Sequence, residues 1–225
     1  CAYSTISILF HPNEKIRAGF NVSKIYRQPT LNELFWLPGG NPDLLPEEGF
    51  SADGVLSYTR HFAHTRFTVS AAAYSRAIDN WILWVPGTGG NPMPLNLQRV
   101  WSRGCETTWR VDRKKKHFSS GLFLTSSYVL STVERTRAAN NRSLGKQLVY
   151  TPRYTFNGNV YTGHKNSRLY CFVHYAGYRF TTSDNTQWLD PYTMVSLRFT
   201  QSFNAAALRF VAFAACNGMS HSTQT

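Results

Sequence analysis

The sequence predicts an all-β chain, an antiparallel transmembrane β-barrel fragment of about ten up-and-down strands. Three observations lead there. Apolar and polar residues alternate with period two over runs of about nine to thirteen residues, long enough to cross a bilayer as tilted strands. Connections alternate between short turns and long loops, as they do in a barrel whose turns gather at one rim and whose loops gather at the other. The 225 residues are 15% aromatic, with 12 Tyr and 15 Phe, but only 16% charged. That composition suits a sheet with one face in lipid. No window of about 18 uninterrupted apolar residues occurs, which excludes a membrane-spanning helix.

A first strand is expected over residues 3–10, with HPNE as its turn. Residues 15–25 follow, with Ile16, Ala18, Phe20 and Val22 on one face and Arg17, Asn21 and Ser23 on the other. A long loop then reaches to about Gly49. Strands over 50–60 and 66–76 pair across a short turn around residues 61–64, and a second long loop carries Trp81, Trp84 and PGTGGNP. Strands over 100–111 and 118–131 pair across DRKKK. In the second, Phe118, Leu122, Leu124, Tyr128 and Leu130 alternate with Ser119, Gly121, Thr125 and Ser127.

After the polar loop TVERTRAANNRSLGK, a strand over 150–161 sets Tyr150, Pro152, Tyr154, Phe156 and Val160 against Arg153, Thr155, Asn157 and Asn159. Pro152 falls near its start, where a missing N–H is tolerated. GHKNS leads to a strand over 169–181, TSDNTQWLDP is a loop, and strands over 192–201 and 208–216 form the last pair. This phase points Phe118, Leu122, Leu124, Tyr150, Tyr154, Phe156, Leu197 and Phe199 to lipid, and Glu106, Arg153, Asn157 and Arg198 to a lumen. Residues 1–217 are expected to form the barrel portion and residues 218–225 a polar non-barrel tail.

The net charge of +12 raises the question of nucleic acid. Only Lys114, Lys115 and Lys116 cluster, and the other cations stand singly in loops or on polar phases. A nucleic-acid surface needs a continuous basic face with stacking aromatics, so no nucleic-acid partner is expected. Cys1, Cys105, Cys171 and Cys216 lie far apart with no C-x-x-C pair, and neither metal nor cofactor is expected. Cys105 falls on an apolar phase, where a thiol serves as a small hydrophobe. No H-x-x-x-H, G-x-S-x-G or phosphate-binding loop occurs. Asp184 and Asp190 share a loop without a histidine beside them, so the chain is not expected to be an enzyme.

The most distinctive segment is YRQPTLNELFWLPGGNPDLLPEEGFS, from Tyr26 to Ser51, whose Asn41, Pro42, Leu44, Pro46 and Glu47 form NP-x-L-x-PE. A second motif is VWSRGCE, from Val100 to Glu106, preceded by Asn96, with Arg103, Gly104 and Glu106 as its signature. Together they resemble the TonB-dependent outer-membrane receptors, and the resemblance runs from about residue 5 to Asn217. Ala77-Ile78-Asp79-Asn80 and Val149-Tyr150-Thr151-Pro152-Arg153 add to it.

The resemblance implies a place in a barrel of about 22 strands, roughly positions twelve to twenty-one, with the closing strand absent. It implies active import of a scarce nutrient, a ferric siderophore or cobalamin, at a Gram-negative outer membrane. It also implies an energy-coupling TonB partner that acts through a plug region the chain lacks.

Trp36 and Trp81, in the two richest loops, are candidates for stacking on a flat or apolar ligand, and Trp84 suits an interface belt. Arg135 and Arg137, with Arg142, could greet an anionic chelate. Glu106 and Arg103 are expected to anchor the wall. The alternative is a self-contained small barrel acting as an adhesin or rim enzyme.

Overall fold

The structure is a computed structural model that describes residues 4–86, 90–96, 99–136, 142–205 and 208–221. In chain order the elements are β1 (Thr5–Asn13), β2 (Ile16–Arg27), the short helix α1 (Leu31–Phe35), β3 (Glu47–Phe62), β4 (Thr65–Asp79), and a small hairpin β5 (Ile82–Pro86) and β6 (Pro92–Asn96). There follow β7 (Arg99–Lys115), β8 (Phe118–Arg135), β9 (Tyr154–His164), β10 (Ser167–Ala176), a two-residue pair β11 (Arg179–Phe180) and β12 (Trp188–Leu189), then β13 (Tyr192–Ala205) and β14 (Leu208–His221).

Ten of these form one sheet in the order β1-β2-β3-β4-β7-β8-β9-β10-β13-β14. Every neighbouring pair is antiparallel. The two minor hairpins stand apart from it, inside the long connections. The sheet is open, with β1 and β14 as its edges.

Directly paired residues point to the same side of a sheet, so the register sorts the side chains into two faces. One face runs through Ile8, Phe20, Gly54, Ala73, Cys105, Tyr128 and Tyr154. It continues through the paired sets Leu124–Gly158–Val173–Val195 and Leu122–Val160–Cys171–Leu197. This face is apolar, and many of its large side chains stand open, Phe50, Trp109, Tyr154 and Leu197 among them.

The opposite face is polar, and its side chains satisfy one another across strands. Ser7 Oγ donates to Asn21 Oδ1 at 2.8 Å, and Asn21 Nδ2 donates to Asp53 Oδ1 at 3.2 Å. Farther along, Asn157 donates to Thr125 Oγ1 (3.3 Å) and meets His174 Nδ1 (2.7 Å), while His174 Nε2 meets the Tyr192 hydroxyl (3.4 Å). Phe118, Leu122, Leu124, Tyr154, Phe156, Leu197 and Phe199 all fall on the apolar face, and Glu106, Asn157 and Arg198 on the polar one.

Three expectations need correction. Tyr150 does not lie in a strand. It sits in a turn with φ 55°, its N–H donates to Phe180 O at 2.8 Å, and the strand begins only at Tyr154. Pro152, which lacks an N–H, falls before that start, and so does Arg153, whose carbonyl accepts from Val129 N at 2.8 Å. The strand expected to reach residue 181 stops at Ala176, after which Gly177 N donates back to Tyr154 O. The last strand, expected to end at residue 216, reaches His221, because β14 pairs with β13 along its full length. Elsewhere the strands outrun their apolar pattern, β8 at the long-connection end as far as Arg135 and β7 chiefly at the short-turn end as far as Lys115. β7 and β8 run for 17 and 18 residues.

The buried core is small and sits beneath the long connections. Val100, Val133 and Leu148 form it, with Trp81 packed against them. Most of the wall carries its apolar residues outward, the reverse of a soluble fold.

Candidate functional site: the long-connection end

The first long connection is built around Arg27, the last residue of β2. Its guanidinium makes a two-pronged contact with Glu47, Nε to Oε2 and Nη2 to Oε1, both at 2.7 Å. Its third nitrogen reaches the Glu33 carboxylate at 3.0 and 3.2 Å. Only arginine offers this planar fork. Thr30 and Glu33 form a capping box at the start of α1: Glu33 N donates to Thr30 Oγ1 (3.2 Å) and Thr30 N donates to Glu33 Oε2 (2.7 Å). The run T-L-N-E thus both starts the helix and positions an acid for Arg27. Burial pushes the Glu33 carboxyl up, but the Thr30 N–H and Arg27 outweigh it and hold the group below its ordinary value.

The NP-x-L-x-PE motif joins this loop to the β5–β6 hairpin. Asn41 N donates to Glu33 O (2.9 Å), and Asn41 Nδ2 donates to Pro94 O (3.1 Å). Leu44 is buried. Leu45 and Asn96 exchange bonds both ways: Leu45 N donates to Asn96 Oδ1 (2.9 Å), and Asn96 Nδ2 donates to Leu45 O (3.1 Å). Asn80 Nδ2 donates to Pro46 O (3.2 Å). Glu47, 5% exposed, accepts from Ile82 N at 2.8 Å besides holding Arg27. These residues are the fasteners of the loop cluster.

The second motif works differently. Arg103 lies on the apolar face, its guanidinium 3.7 Å over the Trp101 ring, and donates to Thr132 Oγ1 at 3.0 Å. At Gly104 a Cβ would collide with the Tyr128 carbonyl oxygen and come within 2.9 Å of the Tyr74 hydroxyl. Only glycine lets these strands approach there. Glu106 is exposed on the polar face, paired in register with Ala72 and Ser127.

The candidate ligand residues do not form one group. Trp36 is 37% exposed and meets Trp84 edge-on, with ring centroids 5.7 Å apart. Trp84 lies in the β5–β6 hairpin within the second long connection. Trp81 packs against Val100, Val133 and Leu148, which gives it a structural task. Arg135 ends β8 and lines a shallow depression with Arg99 and Trp101. Arg137 lies outside the described residues. Asp184, raised for the rim-enzyme alternative, spends its carboxylate on its own turn. Its Oδ1 accepts from Thr186 Oγ1 (2.8 Å) and N (3.2 Å), and the Thr182 and Thr186 hydroxyls hold it below its ordinary pKa.

Two cavities lie between the loops. One of about 590 Å³ is walled by Trp84, Val85, Pro92, Tyr150 and Thr182. Beside it, a smaller one of about 210 Å³ is lined by Leu83, Leu95, Val133 and Leu148. Gln147, 2% exposed, braces this region. Its Oε1 accepts from Ser131 N (3.0 Å), its N–H donates to Asn185 Oδ1 (2.8 Å), and Asn185 Nδ2 returns a bond to Gln147 O (2.9 Å). Sequence reasoning missed Gln147 and Asn185, because single amides in polar loops leave no periodic signal.

Comparison with known proteins agrees with this architecture. The family described as TonB dependent receptor-like, beta-barrel matches residues 4–215. The vitamin B12 transporter BtuB of Photobacterium profundum is 27% identical over 197 residues, covering 85% of this chain and 30% of that protein. The proteins of the same name from two strains of Vibrio vulnificus are 34% identical over 83 residues and 38% identical over 76. Those two alignments cover 36% and 34% of this chain, and 13% and 11% of those proteins. The chain thus spans less than a third of the length of the curated relatives it matches.

Proposed function

This chain belongs to the TonB dependent receptor-like β-barrel family, and on that premise we propose that it forms barrel wall and external loops in an importer of a scarce nutrient at a Gram-negative outer membrane. The observation that carries the reading is the ten-strand sheet with one apolar and one polar face, its long connections fastened together at a single end. The apolar face meets lipid, the polar face lines the lumen, and the fastened loops face outside. Every backbone group of a lipid-exposed sheet must be paired, so the open edges β1 and β14 pair with wall strands outside this chain. Energy coupling to TonB acts through a plug region that is also outside it.

The ligand is of the cobalamin or ferric-siderophore class. The names of the relatives favour a corrinoid as the first ligand to try. Trp36 and Trp84, beside the 590 Å³ cavity, offer aromatic surface to a large, flat molecule. The test is a binding titration of the full-length protein with cyanocobalamin and with ferric siderophores. Saturable binding of one of them, weakened by Trp36→Ala, is the expected outcome. No response to either ligand would defeat the ligand assignment.

A further inference from the structure

We propose that the apolar face binds, at its short-turn rim, the headgroup phosphate of an anionic phospholipid, between Arg60, Arg113 and Lys115. The inference rests on the outward orientation of that face proposed above and does not depend on which nutrient the loops take.

Register brings these cations onto the face that meets lipid. Arg60 pairs with Phe67, Phe67 with Val111, and Val111 with Leu122. One row nearer the turns, Phe62 pairs with Thr65, Thr65 with Arg113, and Arg113 with Ser120. Lys115, in the row beyond, pairs with Phe118. All three cations are exposed. Their strands lie inside the sheet, β3 between β2 and β4, and β7 between β4 and β8. A plug in the lumen would stand on the opposite side of the sheet.

Two arginines show where the lipid layer ends. Arg60 and Arg103 both stand on the apolar face, and they lean opposite ways. The Arg103 guanidinium lies 3.7 Å over the ring of Trp101, one row nearer the long connections. The Arg60 guanidinium lies 4.6 Å over the ring of Phe62, one row nearer the short turns. Long cationic side chains at the borders of a hydrocarbon layer carry their charge outward in this way and leave their stems in the apolar zone. The spacing agrees. Ten residues of β7 lead from Trp101 to Val111, which shares the Arg60 row. At about 3.3 Å per residue and a tilt of about 40°, they span roughly 25 Å, the height of a barrel's apolar band. Arg60 therefore stands at the short-turn border of the band, and Arg113 and Lys115 lie beyond it, among the headgroups.

The two borders differ in charge. At the long-connection border Asp79 sits 3.6 Å from Arg99, and Glu134, which accepts from Thr132 Oγ1, stands beside Arg135. At the short-turn border none of the described ion pairs involves Arg60, Arg113 or Lys115. Asp112 faces the lumen, where Arg110 Nε (2.6 Å) and the Tyr161 hydroxyl (3.1 Å) hold its carboxylate. Glu14 lies in the β1–β2 turn next to Lys15. Cations at a membrane surface attract anionic lipid. Arginine offers a planar fork to phosphate oxygens, and lysine a compact point charge. Nearer the middle of the band Phe67 and Trp109, with ring centroids 6.3 Å apart, supply apolar surface for the acyl chains.

The experiment reconstitutes the full-length protein in nanodiscs of phosphatidylcholine with a minor share of phosphatidylglycerol, and native mass spectrometry reads the lipid retained. A nitroxide at position 122, read by oxygen collision, checks separately that the face meets lipid. Two outer-face variants are compared, Arg60→Gln with Arg113→Gln, and Lys115→Gln alone. The control, Arg66→Gln with Arg168→Gln, removes two charges at the same end but from the polar face. Heat-modified gel migration checks that each variant is folded.

Preferential retention of phosphatidylglycerol, cut about tenfold in the double outer-face variant, reduced in Lys115→Gln and unchanged in the control, supports the proposal. No preference in the wild-type protein, or an equal loss from both faces, overturns it, while oxygen contact at position 122 leaves the orientation standing. Absence of oxygen contact there would overturn both.

Discussion

Arg27 and Glu47 show how single side chains decide whether the long loops stay together. Glu47 is almost fully buried, yet three donors converge on it: two nitrogens of Arg27 and the Ile82 N–H. Glu47→Ala removes the acceptor and leaves those donors facing a void. Hydrogen bonds to charged groups contribute about 1.5–3 kcal/mol, and the half-open Arg27 side chain keeps the loss in that range. Denaturant unfolding of the full-length protein, read alongside limited proteolysis of the first loop, should show both the loss and earlier cleavage.

Glu33 makes the same loop sensitive to acid. Its folded-state pKa lies below the ordinary value of 4.5. Its contribution is therefore complete above about pH 4.5 and is lost as the pH falls through the lower folded value. Protease cleavage within residues 28–46 should rise as the pH falls below about 4.5. Glu33→Gln should flatten the response.

At the scale of elements, the wall strands rest on alternation. Leu124 on β8 falls on the apolar face, and Asn157 on β9 on the polar one, bonded to Thr125 and His174. In the full-length barrel Leu124→Arg should cost about 2–4 kcal/mol and Asn157→Arg close to nothing. Unfolding titrations in lipid vesicles would compare the two variants. Equal costs would contradict the assignment of the faces.

The same alternation explains what the sequence made legible. Period two marked all ten wall strands and separated Leu122 from Gly121 or Phe156 from Asn157 without structural help. Strand ends were misjudged where the pattern breaks but the ladder continues, as at Val133 to Arg135, beyond the last alternating residues. Tyr150 and Pro152 looked like the start of a strand because they share its phase. The carbonyl of Phe180 instead takes the Tyr150 N–H and holds it in a turn.

The helix α1 was missed although Thr30 and Glu33 spell its capping box, since a one-turn helix has no apolar periodicity. The β5–β6 hairpin stayed hidden inside a Gly/Pro-rich run. In the candidate site, the fasteners were found by motif, whereas Gln147 and Asn185 act through long-range amide bonds that no local spacing encodes. Trp81 and Trp36 looked alike in the sequence, and only packing separates a core ring from an exposed one.

For the whole molecule, the two ends of the sheet differ in chemistry. The long-connection end holds the small core, the paired tryptophans and two cavities. The short-turn end holds a row of cations. Between them runs a wall with an apolar outside and a hydrogen-bonded polar inside, which suits a barrel that separates lipid from a wet lumen. Everything proposed for this chain depends on that orientation. It is tested by placing a nitroxide label at each position from 120 to 128 and from 155 to 162 in the full-length protein, reconstituted in bilayers. Collision with oxygen reports lipid, and collision with a water-soluble nickel chelate reports the lumen. A period-two alternation is expected along both strands, with positions 122, 124, 156 and 160 exposed to oxygen and positions 125, 157 and 159 exposed to nickel. Accessibility without alternation, or nickel access on both faces, would contradict it.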